Sequence, residues 1–113
     1  MPTFSTIQIE SFDWDDGNRD KCRRHGVSVD DIEALFRRPI AVLPDPAHST
    51  QEERFKAIGT NTAGRHILIA FTMRVRGGQT FIRPIGARYM HKKEIRHYEN
   101  QTSEAEKVSG FSD

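Results

Sequence analysis

Arg65-His-Ile-Leu-Ile-Ala-Phe-Thr-Met73, followed by Gly77-Gly78 and Thr80-Phe-Ile-Arg-Pro-Ile-Gly-Ala87, is the stretch that decides the fold. Ile67 to Phe71 run without a polar interruption, the pattern of a central strand covered on both faces. Gly77-Gly78 tolerates the positive φ angles of a two-residue hairpin turn, so a second strand folds back antiparallel on the first. Pro84 has no N–H to offer a ladder, which places the returning strand at a sheet edge or at a bulge. Upstream, Ile40-Ala-Val-Leu43 reads as a short strand stopped by Pro44-Asp45-Pro46. Arg54-Phe-Lys-Ala-Ile58 reads as another, alternating charged and apolar residues, with one solvated face.

The N-terminal third has a helical period instead. Asp15 can cap a short helix running to about His25, where Gly26 permits the left-handed conformation that ends helices. Ser28 offers a second N-cap, and Val29, Ile32, Leu35 and Phe36 recur at helical spacing until Pro39. Before them, Ile7, Ile9, Phe12 and Trp14 alternate with polar residues as in a short strand or an extended arm. After the hairpin a last helix begins at Met90 or His91 and runs to about Gln101, and the polar segment Thr102 to Asp113 is expected to fray. The order predicts an α+β fold, a compact, mainly antiparallel sheet flanked by N-terminal helices and a C-terminal helix. The expected organisation is an arm or short strand over 1–11, one domain over 12–101 and a polar tail over 102–113.

At 113 residues the chain supports one core. With 29% charged residues and a net charge of +1, any basic surface must be local. It is: from Arg74 to Glu99, seven Lys/Arg (Arg74, Arg76, Arg83, Arg88, Lys92, Lys93, Arg96) stand against Glu94 and Glu99. That excess points to a polyanionic partner. The lone Cys22 excludes an intrachain disulfide and fits a reducing compartment, so a cytoplasmic location is expected. The longest apolar run is far below the roughly 20 residues that span a bilayer, and Met1 to Glu10 lacks a signal-like pattern, so no membrane association is expected. The five histidines form no His-x-x-x-His or His-x-x-His pair, and one cysteine rules out the usual zinc cluster. No metal or other cofactor is expected. A serine-hydrolase elbow, a phosphate-cradling glycine loop and a dinucleotide fingerprint are all missing.

Breaking a phosphodiester without a metal requires activating a hydroxyl, stabilising charge at phosphorus and protonating the leaving oxygen. Arg54 and Lys56 lie two apart on one strand and can share a face with Arg83, forming a phosphate-binding surface; they read equally as the solvated face of an antiparallel sheet. Lys21 and His25 would stack on one helical face, with His25 as a candidate proton carrier, although a capping histidine beside Gly26 explains the same residues. Glu94 and Tyr98 form an i,i+4 pair with Arg88 just upstream and could act as base, acid and phosphate ligand. Glu94 also fits the capping-box position opposite His91. Lys92 and Lys93 add positive charge for a polyanion. Phe12, Trp14 and Tyr89 could stack on bases or belong to the core.

Several motifs occur in order along the chain: Trp14-Asp15 with Gly17-Asn18, Arg24-His-Gly-Val-Ser28, Pro44-Asp-Pro46 then His48-Ser49, Glu52-Glu-Arg-Phe55, Ile58-Gly59, Gly64-Arg65, and Ile85-x-Ala87-Arg88 leading to Glu94 and Tyr98. In combination they resemble the BrnT family of ribonuclease toxins from bacterial toxin–antitoxin systems, over approximately Phe12 to Glu99. The resemblance implies a fold similar to the RelE superfamily, an endoribonuclease activity that blocks translation, and a BrnA-like antitoxin whose ribbon-helix-helix part binds operator DNA. Contact with operator DNA would be only indirect, through that antitoxin. In this family Ser commonly precedes the Ala-Arg pair, where this chain has Gly86, so a hydroxyl beside Arg88 is lost. The competing reading is a non-catalytic subunit that binds its antitoxin and acts as an operon co-repressor. An antitoxin would mask the basic surface by covering some of Arg83, Arg88, Lys92, Lys93 and Arg96, or by adding a strand along the Thr80–Ala87 edge.

Overall fold

In the computed structural model, which describes residues 3–5 and 11–108, the hairpin forms the middle of a six-stranded sheet. The strands are β1 (Thr3–Ser5), β2 (Ser11–Phe12), β3 (Ile40–Pro44), β4 (Phe55–Thr60), β5 (His66–Arg76) and β6 (Gln79–Tyr89), in the spatial order β1-β3-β4-β5-β6-β2. All neighbours are antiparallel except β2, which runs parallel to β6. Ile7 to Glu10 lie outside the described residues, so the expected arm is represented by β1 and β2 alone. Gly77 and Gly78 have φ of 58° and 79°, values that side chains with a Cβ resist, and they return the chain directly from β5 into β6.

Helix α1 (Asp16–Arg23) starts at Asp15, whose side chain accepts from the Asn18 amide while the Asn18 side chain accepts from the Asp15 amide. Gly26, at φ 86°, turns the chain towards α2 (Val29–Phe36), which Ser28 caps through the Asp31 amide. Val27, Ile32, Leu35 and Phe36 pack on Ile67, Ile69, Phe71, Ile82 and Ala57 to make one core, with Cys22 sealed inside it. Phe36 meets Phe71 edge-on at 5.0 Å between centroids. Gly59 lets α2 approach, since a Cβ there would lie 2.8 Å from Leu35 Cδ2. Truncating a buried ring such as Phe71 would cost about 3–5 kcal/mol, a large share of a small domain's stability.

The structure corrects three expectations. The central strand β5 is not covered equally on both faces: Ile67, Ile69 and Phe71 are fully buried, whereas Leu68 and Ala70, pointing the other way, are only half-buried. The helices α1 and α2 shield one face, and α3 (Lys92–Val108) leaves much of the other open. β6 is not a free edge over its first half. Phe81 and Ile82 pair with β2, the Ile82 carbonyl accepts from Asp13, and the Pro84 carbonyl accepts from Asn18, so a partner strand cannot add there. Of the two places open to Pro84, an edge or a bulge, the structure takes the bulge: Gly86 faces Ala70 and Pro84 faces Phe71, with Ile85 the extra residue. Finally, α3 continues to Val108 rather than ending near Gln101, because Glu104, Ala105, Glu106 and Lys107 favour helix and no glycine intervenes before Gly110.

Candidate active site

Residues opposite one another in an antiparallel ladder share a face, so the strand register itself lays out the open side of the sheet. Ile58, Leu68 and Arg88 form one row; Lys56, Ala70 and Gly86 form the next; Thr72 and Arg83 form a third. Arg54 precedes Lys56 by two residues and borders the same cleft as Thr72 and Arg83. The expected common face for Arg54, Lys56 and Arg83 is therefore present, and Arg88 lies on it too. A Cβ built on Gly86, in the middle row, meets nothing within 4 Å, so this face is open at its centre. Two clefts flank that opening.

The first lies beneath α3 and holds about 290 Å³, bounded by Lys56, Arg88, Glu94, His97 and Tyr98 over a floor that includes Ile58 and Leu68. Arg88 Nη1 and Nη2 each donate to one Glu94 oxygen at 2.7 Å, a bidentate fork. The His91 amide donates to Glu94 Oε1 at 2.9 Å, so Glu94 caps α3 and orients Arg88 at once. The Arg88 hydrogen bonds, then that of the His91 amide, hold the Glu94 carboxyl down at about 2. Glu94 in turn raises Arg88, which stays a full cation. His66 and Tyr98 meet edge-on at 6.3 Å, which ties the first turns of α3 to the sheet.

The second cleft, of about 410 Å³, lies between α1 and the bulged end of the sheet, lined by Asp15, Lys21, Glu52, Arg54, Thr72, Arg74 and Arg83 among others. Each side chain is placed by an identifiable local motif. Asn18, almost fully buried, donates to the carbonyls of Asp13 and Pro84 at 2.9 and 2.8 Å and staples α1 to the bulge of β6. Arg83 then reaches Asp15 Oδ2 at 2.9 Å and Asp13 Oδ1 at 3.6 Å. The Asn18 amide and then Arg83 lower the Asp15 carboxyl below the usual aspartate range. Arg54 is aimed by the loop before it: the Ser49 hydroxyl donates to the Asp45 carbonyl and accepts from the Arg54 amide, while the Asp45 amide donates to the Arg54 carbonyl. The buried Asp45 carboxylate holds His48 at 3.1 Å, which gives the Pro44-Asp-Pro46 and His48-Ser49 motifs a structural purpose. Arg74 faces Glu52, its Nη2 donating at 3.3 Å and its Nε lying 3.2 Å from the other oxygen without hydrogen-bond alignment.

The remaining candidates separate clearly. His25 lies beyond the end of α1, exposed in the turn, and borders neither cleft. It does not share a helical face with Lys21, because the helix stops at Arg23. Lys92 and Lys93 are exposed in the first turn of α3, outside both clefts. Cations at that end of a helix oppose its dipole, so they serve the local fold poorly. Phe12 and Trp14 pack against the core, and Trp14 Nε1 donates to Glu33 at 2.8 Å; Tyr89 lies under Arg65, 3.5 Å from its guanidinium carbon. Two cleft residues went unnoticed in the sequence. His97 follows Glu94 by three positions and precedes Tyr98, so helical spacing alone could have joined it to that face. Thr72 carried no signal, being one hydroxyl in an apolar strand. Among the described residues, no three His, Cys, Asp or Glu side chains gather as a metal site would require. Within the same residues, no helix is long and apolar enough to cross a membrane.

The α+β architecture, a mostly antiparallel sheet with three helices, is consistent with a RelE-like toxin fold. The family model described as "Ribonuclease toxin, BrnT, of type II toxin-antitoxin system" matches residues 14–94, most of the chain, and the protein belongs to that family. No individual curated protein matches it.

Proposed function

We propose that this protein is a metal-independent endoribonuclease that blocks translation by cutting RNA in the cytoplasm, with the reaction in the cleft beneath α3. The observation that carries this reading is the Arg88–Glu94 fork, held beside Lys56, His97 and Tyr98. Arg88 supplies a fixed, permanently charged planar donor set for the phosphate that gains charge in the transition state. The 2′-hydroxyl attacks the adjacent phosphorus as it loses its proton, and the 5′-oxygen leaves with a proton, giving a 2′,3′-cyclic phosphate and a 5′-hydroxyl. Lys56, His97 and Tyr98 are the groups in the cleft with suitable chemistry for those transfers. Glu94 is too acidic to accept a proton effectively at neutral pH and serves as the positioning residue for Arg88.

A BrnA-like antitoxin with a ribbon-helix-helix operator-binding part would mask this surface. Exposed Lys92, Lys93 and Arg96 on α3 supply the charge for fast, salt-sensitive association. The alternative of a non-catalytic co-repressor subunit draws on one feature: Arg74, Arg83 and Arg88 are already paired with carboxylates, as structural arginines would be. Incubating purified protein with end-labelled RNA in chelator distinguishes the readings. New 2′,3′-cyclic phosphate ends support the ribonuclease. Intact RNA, together with operator binding when the partner is added, supports the co-repressor.

A further inference from the structure

We propose that the cleft between α1 and the bulged end of the sheet is a second phosphate subsite, separate from the one at Arg88. An RNA strand that lays one phosphate on Arg88 lays another, further along its backbone, against Lys21, Arg54, Arg83 and the hydroxyl of Thr72. The inference rests on the reading of the substrate as RNA and adds where the strand runs.

The strongest observation is Thr72. Its side chain is 0% exposed, it lines the cleft, and its Oγ1 has no hydrogen-bond partner in the protein. A buried hydroxyl without a partner is costly, and a valine would fill the same space without that penalty. The hydroxyl makes sense as a donor to a ligand oxygen. Around it, the side chains of Lys21 and Arg54 have no ion pair or hydrogen bond among the described residues, so their charges are available. Arg83 is already held in place by Asp13 and Asp15 and loses little freedom when a ligand arrives. Four cations line the cleft against two carboxylates, and Arg83 and Arg74 engage those two, Asp15 and Glu52 respectively. No histidine, tyrosine or cysteine borders it, so this cleft fits holding a phosphate better than breaking one. The N-terminus of α1 is not the anion site, because the Asp15 carboxylate occupies it.

Geometry separates the two subsites. Arg83 and Arg88 are five residues apart on β6, roughly 15 Å along a strand. Asp15 holds Arg83 in the cleft beside α1 and Glu94 holds Arg88 in the cleft beneath α3, so as placed each serves its own phosphate. The path between them crosses Gly86, where the face is open.

Binding of fully 2′-O-methylated oligonucleotides, whose attacking hydroxyl is blocked, tests the proposal without chemistry. With lengths from about two to about eight nucleotides, wild-type affinity should rise in a step once the strand reaches from Arg88 to the second cleft. Arg54→Ala and Thr72→Val should remove that step, weakening the longer strands roughly tenfold, and Arg54→Ala should reduce the salt slope by about one. A step that survives in both variants overturns the proposal. Should the wild type bind no oligonucleotide at all, the RNA reading fails, and a titration with pyrophosphate decides the cleft separately. Amide shifts at Thr72 and Arg54 would keep it as a phosphate site, whereas unshifted amides would overturn it.

Discussion

The two clefts on the open face are built from similar residues and suit different work. Beneath α3, one cation is held in a fixed fork by a strongly acidic carboxylate, beside a histidine, a tyrosine and a lysine. Beside α1, cations gather round a buried, unpartnered hydroxyl, with no histidine, tyrosine or cysteine at hand. Positive charge alone therefore does not locate chemistry on this surface. The histidine and the tyrosine that could act as an acid–base pair do, and they lie on one side only.

The sharpest way to break this contrast is at Arg88. Arg88→Ala should lower single-turnover RNA cleavage roughly 10²–10³-fold, the scale of losing one fixed donor to a developing oxyanion, and Arg88→Lys should not restore it because an ammonium cannot form the fork. Wild-type rates in both variants would move the reaction out of this cleft. Next come the proton carriers. His97→Gln should slow cleavage roughly 10²-fold and remove one limb of the pH–rate profile, whereas His25→Gln should leave the profile intact, since His25 borders neither cleft. The opposite pattern would return the role to His25.

A smaller effect concerns stability. Glu94 is depressed in the folded protein, so its pairing stabilises the fold above about pH 4.5 and that contribution is lost as pH falls through about 2. Glu94→Gln should therefore lower the melting temperature at neutral pH, with the gap from wild type closing as the pH falls towards 2. Because the pair is about one-third exposed, screening limits the effect to about 1 kcal/mol or less, a few degrees in thermal melts. A gap that stays constant down to pH 2 would assign the loss to something other than the carboxylate's charge. The smallest change is expected from Gly86→Ser. The position is open, so melting should move by no more than a degree or two. A hydroxyl between the clefts should raise cleavage by a few-fold if it reaches the substrate, and an unchanged rate would leave Gly86 without influence on the reaction.

Much of this molecule was legible in its sequence wherever the cause is local. Gly77-Gly78 can hardly do other than turn, Asp15 and Ser28 are good caps, and the apolar positions of α2 recur at helical spacing. Even the common face of Arg54, Lys56 and Arg83 followed from the two-residue period of strands, once the register agreed. What stayed hidden depends on contacts between segments far apart in the chain. Nothing local says that β2 covers the start of β6, that Asn18 locks onto the Pro84 carbonyl, or that α3 shields only part of the sheet.

The sequence by itself determined the element types, the hairpin and the stock of cations, because these depend on backbone sterics and on periodicity within a few residues. Only the tertiary structure decided how those cations divide into two clefts, which histidine stands beside Arg88, and that Thr72 lines one cleft without a hydrogen-bond partner. Each of these follows from strand register, from the Pro84 bulge and from the way α1 and α3 lie against the sheet. Such features come from packing between segments distant in the chain, and no local pattern encodes them.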